Sequence, residues 1–322
     1  MKSYLVTGAT GYIGSALVRY LLREKPDVRI TATVRAPGKA GETLPARIEL
    51  FQADLTQSDS LDNLNIKFDA VIHCACMTKS NEMIHRPVEV TRSIIDSTQT
   101  ILEFARKRGV RSVVCLSSME VYGQIDCPNG HRVQEEEASA GRIELLNMRS
   151  CYPLAKRMAE NICYCYFREY GVPVKVARLA QTFGRGVLPG ESRVFVQFAR
   201  SVLEGRDIVL HTCGSSVGNY CDIEDAVRGI LTILEKGAEG EAYNVVNEGS
   251  TMTIREMAEM VCRKLAAGQI KVVYDIPEEN VYGYAAETRV RLSGKKLEDL
   301  GWKPVKGLEE MYRDLCHELK CQ

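Results

Sequence analysis

VTGATGYIGSALV, residues 6–18, decides the fold. Three glycines, Gly8, Gly11 and Gly14, follow a short β-branched run and open an amphipathic helical pattern. The spacing is GxxGxxG. A glycine triplet alone carries little information, but between a strand and a helix it specifies a dinucleotide-binding turn. Gly8 permits the tight turn, Gly11 lets backbone approach a pyrophosphate, and Gly14 lets the helix pack close to the sheet. The helix N-terminus then favours the anion.

Outward from the turn, apolar strand candidates alternate with helical stretches. The strands are "SYLVT" (3–7), "RITATV" (29–34), "IELFQ" (48–52), "AVIHC" (70–74), "SVVCLS" (112–117) and "VKVARL" (174–179). Helical patterns fall at 11–24, 87–108 and 151–170. Strands apolar on both faces and separated by helices make a parallel sheet covered on both sides. Beyond residue 180 loops such as "GRGVLPGES" mix with helices (193–204, 222–236, 253–266, 308–320) and short strands. The expected class is α/β: a Rossmann-type doubly wound parallel sheet over residues 1–178, with a smaller C-terminal α/β substrate domain over 179–322. The two are expected to interleave around 215–240.

The end of the second strand bears on the cofactor. An NAD site carries an acid about 20 residues past the glycines, to accept the ribose hydroxyls. Here Val34 and Arg35 occupy that place. Arg35, with Lys39 nearby, suits a 2′-phosphate, so NADP is expected, with NAD as the alternative. Asp54, after the third strand, either meets the adenine amine or caps a turn.

Bulk composition excludes several classes. The 322 residues include 42 acidic and 42 basic side chains, which gives no electrostatic case for nucleic acid or an anionic membrane as main partner. No apolar run reaches the roughly 18–20 residues of a membrane helix. Twelve cysteines occur without a CxxC pair, which argues for reduced structural thiols, no metal site and a cytoplasmic setting.

The chemistry lies further along. Of fourteen tyrosines, Tyr152 alone has a lysine four residues on, Lys156, within "RSCYPLAKRMAE" (149–160). Residues four apart share a helix face. A free phenol has a pKa of about 10 and is a poor base at neutral pH. A nearby ammonium and a nicotinamide cation both favour the phenolate. The fifth strand ends in "CLSSMEVYG", which aims Ser118 into the crevice where ligands of such sheets bind. Ser118, Tyr152 and Lys156 are thus expected to move a proton off a sugar hydroxyl while the hydride goes to the cofactor. Glu120 is a base, a substrate orienter, or a loop acid.

"TGATGYIG", "VIHCA", "SSMEVYG", "YPLAK", "ARLAQTFG" and "LGWKP" occur in the order found in extended short-chain dehydrogenases/reductases acting on nucleotide sugars, which the chain resembles over nearly its whole length. "RSCYPLAKRMAE" and "VARLAQTFG" look most like UDP-glucuronate decarboxylases and related epimerases. The resemblance implies a Ser118–Tyr152–Lys156 triad. Turn and resemblance together put Gly8, Thr10, Gly11, Tyr12, Ile13, Gly14, Arg35, Asp54, Leu55, Cys74 and Lys156 on the cofactor, and Arg193, Arg178 and Gln181 on the substrate. The chain also departs from these relatives. 4,6-Dehydratases carry Asp-Glu where Met119 and Glu120 stand, and decarboxylases follow their Tyr with Asp-Glu-Gly rather than Pro153-Leu154-Ala155. Gly218 replaces an arginine that grips the substrate diphosphate. The function expected is nucleotide-sugar epimerisation through oxidation at C4. A decarboxylase, a 4-ketoreductase or a dehydratase on the same fold is the alternative, and a non-catalytic cofactor sensor the alternative of another class. Helices 87–108 and 151–170, the second apolar on more than one side, are expected to pair across a two-fold axis into a homodimer.

Overall fold

β1 (Ser3–Thr7), β2 (Arg29–Val34), β3 (Glu49–Gln52), β4 (Ala70–His73), β5 (Val113–Ser118) and β6 (Val174–Leu179) are parallel neighbours in one sheet. The structure, a computed structural model, describes residues 2–40, 44–125, 127, 130–277 and 287–321. After β6 the chain leaves the sheet for β7 (Gln181–Phe183), β8 (Ile208–Leu210) and β9 (Val217–Asp222). It then returns as β10 (Ala242–Val245), which pairs with β6. The order across the sheet is β3-β2-β1-β4-β5-β6-β10, reversing between β1 and β4. Ligands of doubly wound sheets sit at that reversal, beyond the strand C-termini.

One face of the sheet is covered by α1 (Tyr12–Glu24) and α7 (Ile223–Lys236), the other by α4 (Pro87–Arg108) and α5 (Cys151–Tyr170). Pro87 opens α4, where a missing N–H costs nothing, and Gly109 ends it at φ 61°. Short α2 (Pro37–Ala40) and α3 (Ser80–His85) lie in the connections. The returning stretch, α7 and β10, therefore belongs to the large layer, and β6 carries that layer through Leu179.

The smaller lobe holds β7, β9 and β11 (Asn247–Thr253) in one sheet and β8 with β12 (Val272–Tyr274) in another. It adds α6 (Val194–Glu204), α8 (Ile254–Lys264) and α10 (Leu308–Cys321), while α9 (Lys295–Glu298) returns Leu297 to the core of the large layer, against α7 and β10. The smaller lobe's own core holds an aromatic cluster. Phe183 and Phe195 stack at 4.4 Å, with Tyr220 and Tyr312 edge-on to Phe183. Among the described residues no helix is long and apolar enough to cross a membrane.

Candidate active site

The glycine turn keeps its shape for separable reasons. Gly8 has φ 63°, and a Cβ there would lie 2.7 Å from the Ala75 amide nitrogen, where the loop after β4 presses close. A Cβ on Gly14 would lie 2.3 Å from Gly8 O. Gly11 is different: a Cβ there would meet only Gly8 O, at 3.2 Å. The space it leaves faces outward, beside exposed Thr10 and half-buried Tyr12 and Ile13. Gly11 is the N-cap of α1 without a side-chain cap bond, and the first turn carries no acid. Such a cradle of uncapped amides fits a cofactor pyrophosphate.

A buried histidine ties this turn to the opposite wall. His73 Nδ1 is 2.8 Å from Thr7 Oγ1, and its Nε2 is 3.2 Å from Ser97 Oγ on α4. Thr7 Oγ1 also accepts the amides of Cys74 and Ala75, each at 3.1 Å. Its remaining proton must therefore go to Nδ1, so the ring carries its proton on Nε2 and donates to Ser97. Burial, with some help from the Lys156 charge, pushes the His73 pKa down to about 3. The ring is a neutral tie that holds the Cys74–Cys76 segment against β1.

α5 delivers the other half of the site. A 3-10 turn (Met148–Ser150) leads into it, with Asn147 Oδ1 accepting the Arg149 amide at 2.9 Å. Pro153 falls in the first helical turn, where proline is tolerated. Tyr152 and Lys156 are both buried, with the Lys156 Nζ 5.9 Å from the Tyr152 ring centre. Lys156 donates to Leu116 O at 2.7 Å and to Cys76 Sγ at 3.4 Å. Burial opposes its ammonium, yet the Cys76 and Tyr152 side chains hold its pKa above the usual lysine value. Burial also pushes Tyr152 up to about 12, and Lys156 and a hydrogen bond from Ser118 pull the other way. Ser118 closes β5 and accepts the Glu120 amide at 3.2 Å, which leaves its hydroxyl proton for the phenol oxygen. Serine, tyrosine and lysine thus converge within one polar cluster.

Several expected residues sit elsewhere. Arg178 was expected on the substrate but is 7% exposed, with all three guanidinium nitrogens engaged: Nε and Nη2 with Glu160, Nη1 with Tyr122 Oη and Glu135 O. It belongs to a buried network that includes Ser117 and Asn244. Leu55, expected at the cofactor, lies 7% exposed in the core against the α4 face. Asp54 caps its own turn, accepting the Thr56 amide and hydroxyl at 3.1 and 2.9 Å. Cys74 is half-buried beside the turn, its thiol pKa raised by burial. Arg35 is exposed at the end of β2, and the Lys39 side chain lies outside the described residues. Arg193 is the N-cap residue of α6, paired with Glu191 at 2.6 Å and set 4.8 Å over Phe195. Gln181 is half-buried at the start of β7.

One residue of the cluster carries no signal in the sequence. Arg149 grips Glu120 with both nitrogens, at 2.7 and 3.2 Å. The pair bridges the turn after β5 to the turn before α5, 29 residues apart. Among the described residues no group of histidine, cysteine, aspartate and glutamate side chains is arranged to hold a metal ion.

A profile of the NAD dependent epimerase/dehydratase family matches residues 4–247. UDP-glucuronic acid decarboxylase 6 of Arabidopsis thaliana is 28% identical over 307 residues, 95% of this chain and 85% of that one. UDP-glucose 4-epimerase of Thermotoga maritima superposes with a TM-score of 0.85 over 99% of both chains at 22% identity, a likeness of fold. RMD of Pseudomonas aeruginosa, complexed with NADPH, gives a TM-score of 0.79 at 25% identity, covering 100% of this chain and 99% of that one.

Proposed function

The chain belongs to the NAD dependent epimerase/dehydratase family, and on that footing we propose that it epimerises a nucleotide sugar through oxidation at C4. The observation that carries this reading is the convergence of Ser118, Tyr152 and Lys156 beside the glycine cradle. When bound, a nicotinamide cofactor supplies the hydride acceptor and donor and, oxidised, a positive charge. The chain's own part is proton transfer and orientation. Tyr152, as phenolate, takes the proton of the C4 hydroxyl and later returns it. The Lys156 ammonium, fixed by Leu116 O, favours the phenolate, and the Ser118 hydroxyl donates to the same oxygen. Burial keeps water from competing for the proton. Exposed Arg35 favours NADP over NAD, and Arg193 and Gln181 line the approach to the smaller lobe as substrate contacts.

Decarboxylation of a 4-keto uronate is the second reading. The 28% identity to a UDP-glucuronic acid decarboxylase favours it, and Pro153-Leu154-Ala155 after the tyrosine speaks against it. A panel of UDP-, CDP-, GDP- and dTDP-sugars, followed by mass spectrometry and NMR, separates the two: epimerisation conserves mass and decarboxylation does not. Tyr152→Phe should lower turnover by about 10²–10⁴ while the cofactor still binds. Turnover near that of the unmodified protein would refute the proton-carrier role.

We also propose that α4 and α5 pair with their copies in a homodimer. Val88 on α4 and Met158 on α5 are 71% and 50% exposed, an apolar cost that a partner helix pair removes. Tyr166, by contrast, is half-buried against Tyr170 and the core, so it does not mark that outer face.

A further inference from the structure

Glu120 presents a difficulty that the triad alone does not resolve. It is a carboxylate placed beside the phenol that is to lose its proton, and a negative neighbour holds that proton on. Its amide is tied to Ser118 Oγ at 3.2 Å, so the residue cannot swing away with its backbone. A free carboxylate here would act on the Tyr152 hydroxyl with its full negative charge.

Arg149 answers this geometrically. Its Nη1 and Nη2 take the two carboxylate oxygens at 2.7 and 3.2 Å, a fork that fits the plane of one carboxylate. Both side chains are about two-thirds buried, at 28% and 33% exposure, so solvent screens the pair only in part. The Arg149 backbone is itself fixed by Asn147, in the turn that aims Tyr152. The other groups acting on Tyr152 are Lys156 from α5, Cys76 from the loop after β4, Ser118 from β5, and Arg149 itself, whose charge also reaches the phenol. α3 and α4 pack Met83, Val90 and Ile94 against Tyr152.

We propose that Arg149 is a positioning residue that holds Glu120 out of the proton relay, leaving Tyr152 to exchange its proton with substrate under Ser118 and Lys156 alone. The inference rests on the reading of Tyr152 as the proton carrier. It gives Arg149 a role exerted through Glu120.

The test follows tyrosinate absorbance against pH in the full-length protein saturated with NADP⁺. Subtracting the Tyr152→Phe variant isolates the Tyr152 midpoint. The same pair is then measured in Arg149→Met and in Arg149→Met/Glu120→Gln. In Arg149→Met the midpoint should rise by roughly one unit, the lower end of the effect of a close like charge. Tyrosinate at a fixed pH below the midpoint should fall about tenfold. In the double variant the midpoint should return. An unchanged midpoint in Arg149→Met overturns the proposal, and so does a rise that persists without the Glu120 carboxylate. If Arg149→Met does not fold, Arg149→Lys keeps the charge but loses the fork, and a smaller rise in the same direction is expected; no rise overturns the proposal. Turnover of Tyr152→Phe reports separately on the underlying reading.

Discussion

Acid should unfasten this protein at His73. In the folded chain its pKa is pushed down to about 3, against about 6.5 for an unfolded histidine. The folded value is the lower one, so the unfolded state binds more protons between the two. Stability is therefore complete above about pH 6.5 and falls as the pH drops through the window toward 3. Each pH unit in that window removes about 1.4 kcal/mol. At pH 4.5 the loss from this one ring is on the order of 3 kcal/mol, a large share of the 5–15 kcal/mol typical of a domain. The structural cause is the bond order of the chain of contacts. A protonated ring offers hydrogens at both nitrogens, and Thr7, already accepting two amides, has only a proton to offer Nδ1. The assay is urea unfolding at several pH values between 7 and 4.5, with His73→Asn as reference because carboxylates also titrate there. The wild-type stability should fall more steeply than that of the variant, by about 1.4 kcal/mol per unit. Parallel slopes, or a His73 ring signal in NMR that titrates near 6.5, would refute the reasoning.

Arg35→Ala should lose about 1.5–3 kcal/mol of NADP affinity, the scale of a hydrogen bond to a charged group, and leave NAD binding unchanged; equal affinity for both cofactors in the wild type, by calorimetry, would sink this assignment. Arg178→Met leaves the buried Glu160 carboxylate without its partner and should destabilise by about 3–5 kcal/mol; a urea midpoint within error of wild type would contradict the buried-pair reading. Light scattering at micromolar concentration should give a dimeric mass for the wild type and a monomeric mass for Met158→Glu, and a wild-type monomer ends the dimer proposal.

What could be read in the sequence was what is written locally. The glycine turn is legible because its backbone demands glycine within seven residues, and α4 and α5 because their periodicity and stop signals are contiguous. Tyr152 and Lys156 announce themselves because four residues make one helical turn. The reading fails where the deciding contact is distant. Arg178, at the end of a strand, looks the same whether it faces a cleft or a carboxylate on the neighbouring helix, and Glu160 lies 18 residues away. Arg149 meets Glu120 across 29 residues, and His73 meets Thr7 across 66. No periodicity links such pairs. Leu55 and Asp54 illustrate a different confusion: a residue at a strand's end serves the core or its own turn as readily as a ligand.

The return of β10 to the sheet has a consequence for how the protein is made. On a ribosome β6 emerges long before its outer neighbour, and its free edge stays open until Val245 has been synthesised. α7, which supplies Val227, Ile230 and Ile233 to the inner core, arrives only shortly before. The nascent large layer thus spends the whole synthesis of β7 to β9 with a bare apolar face and an unpaired strand, the condition under which chains add to one another. The chain reverses that exposure only when β10 docks. The large layer can close its edge before the smaller core is complete, because that core still awaits Met257, Leu308, Met311 and Leu315.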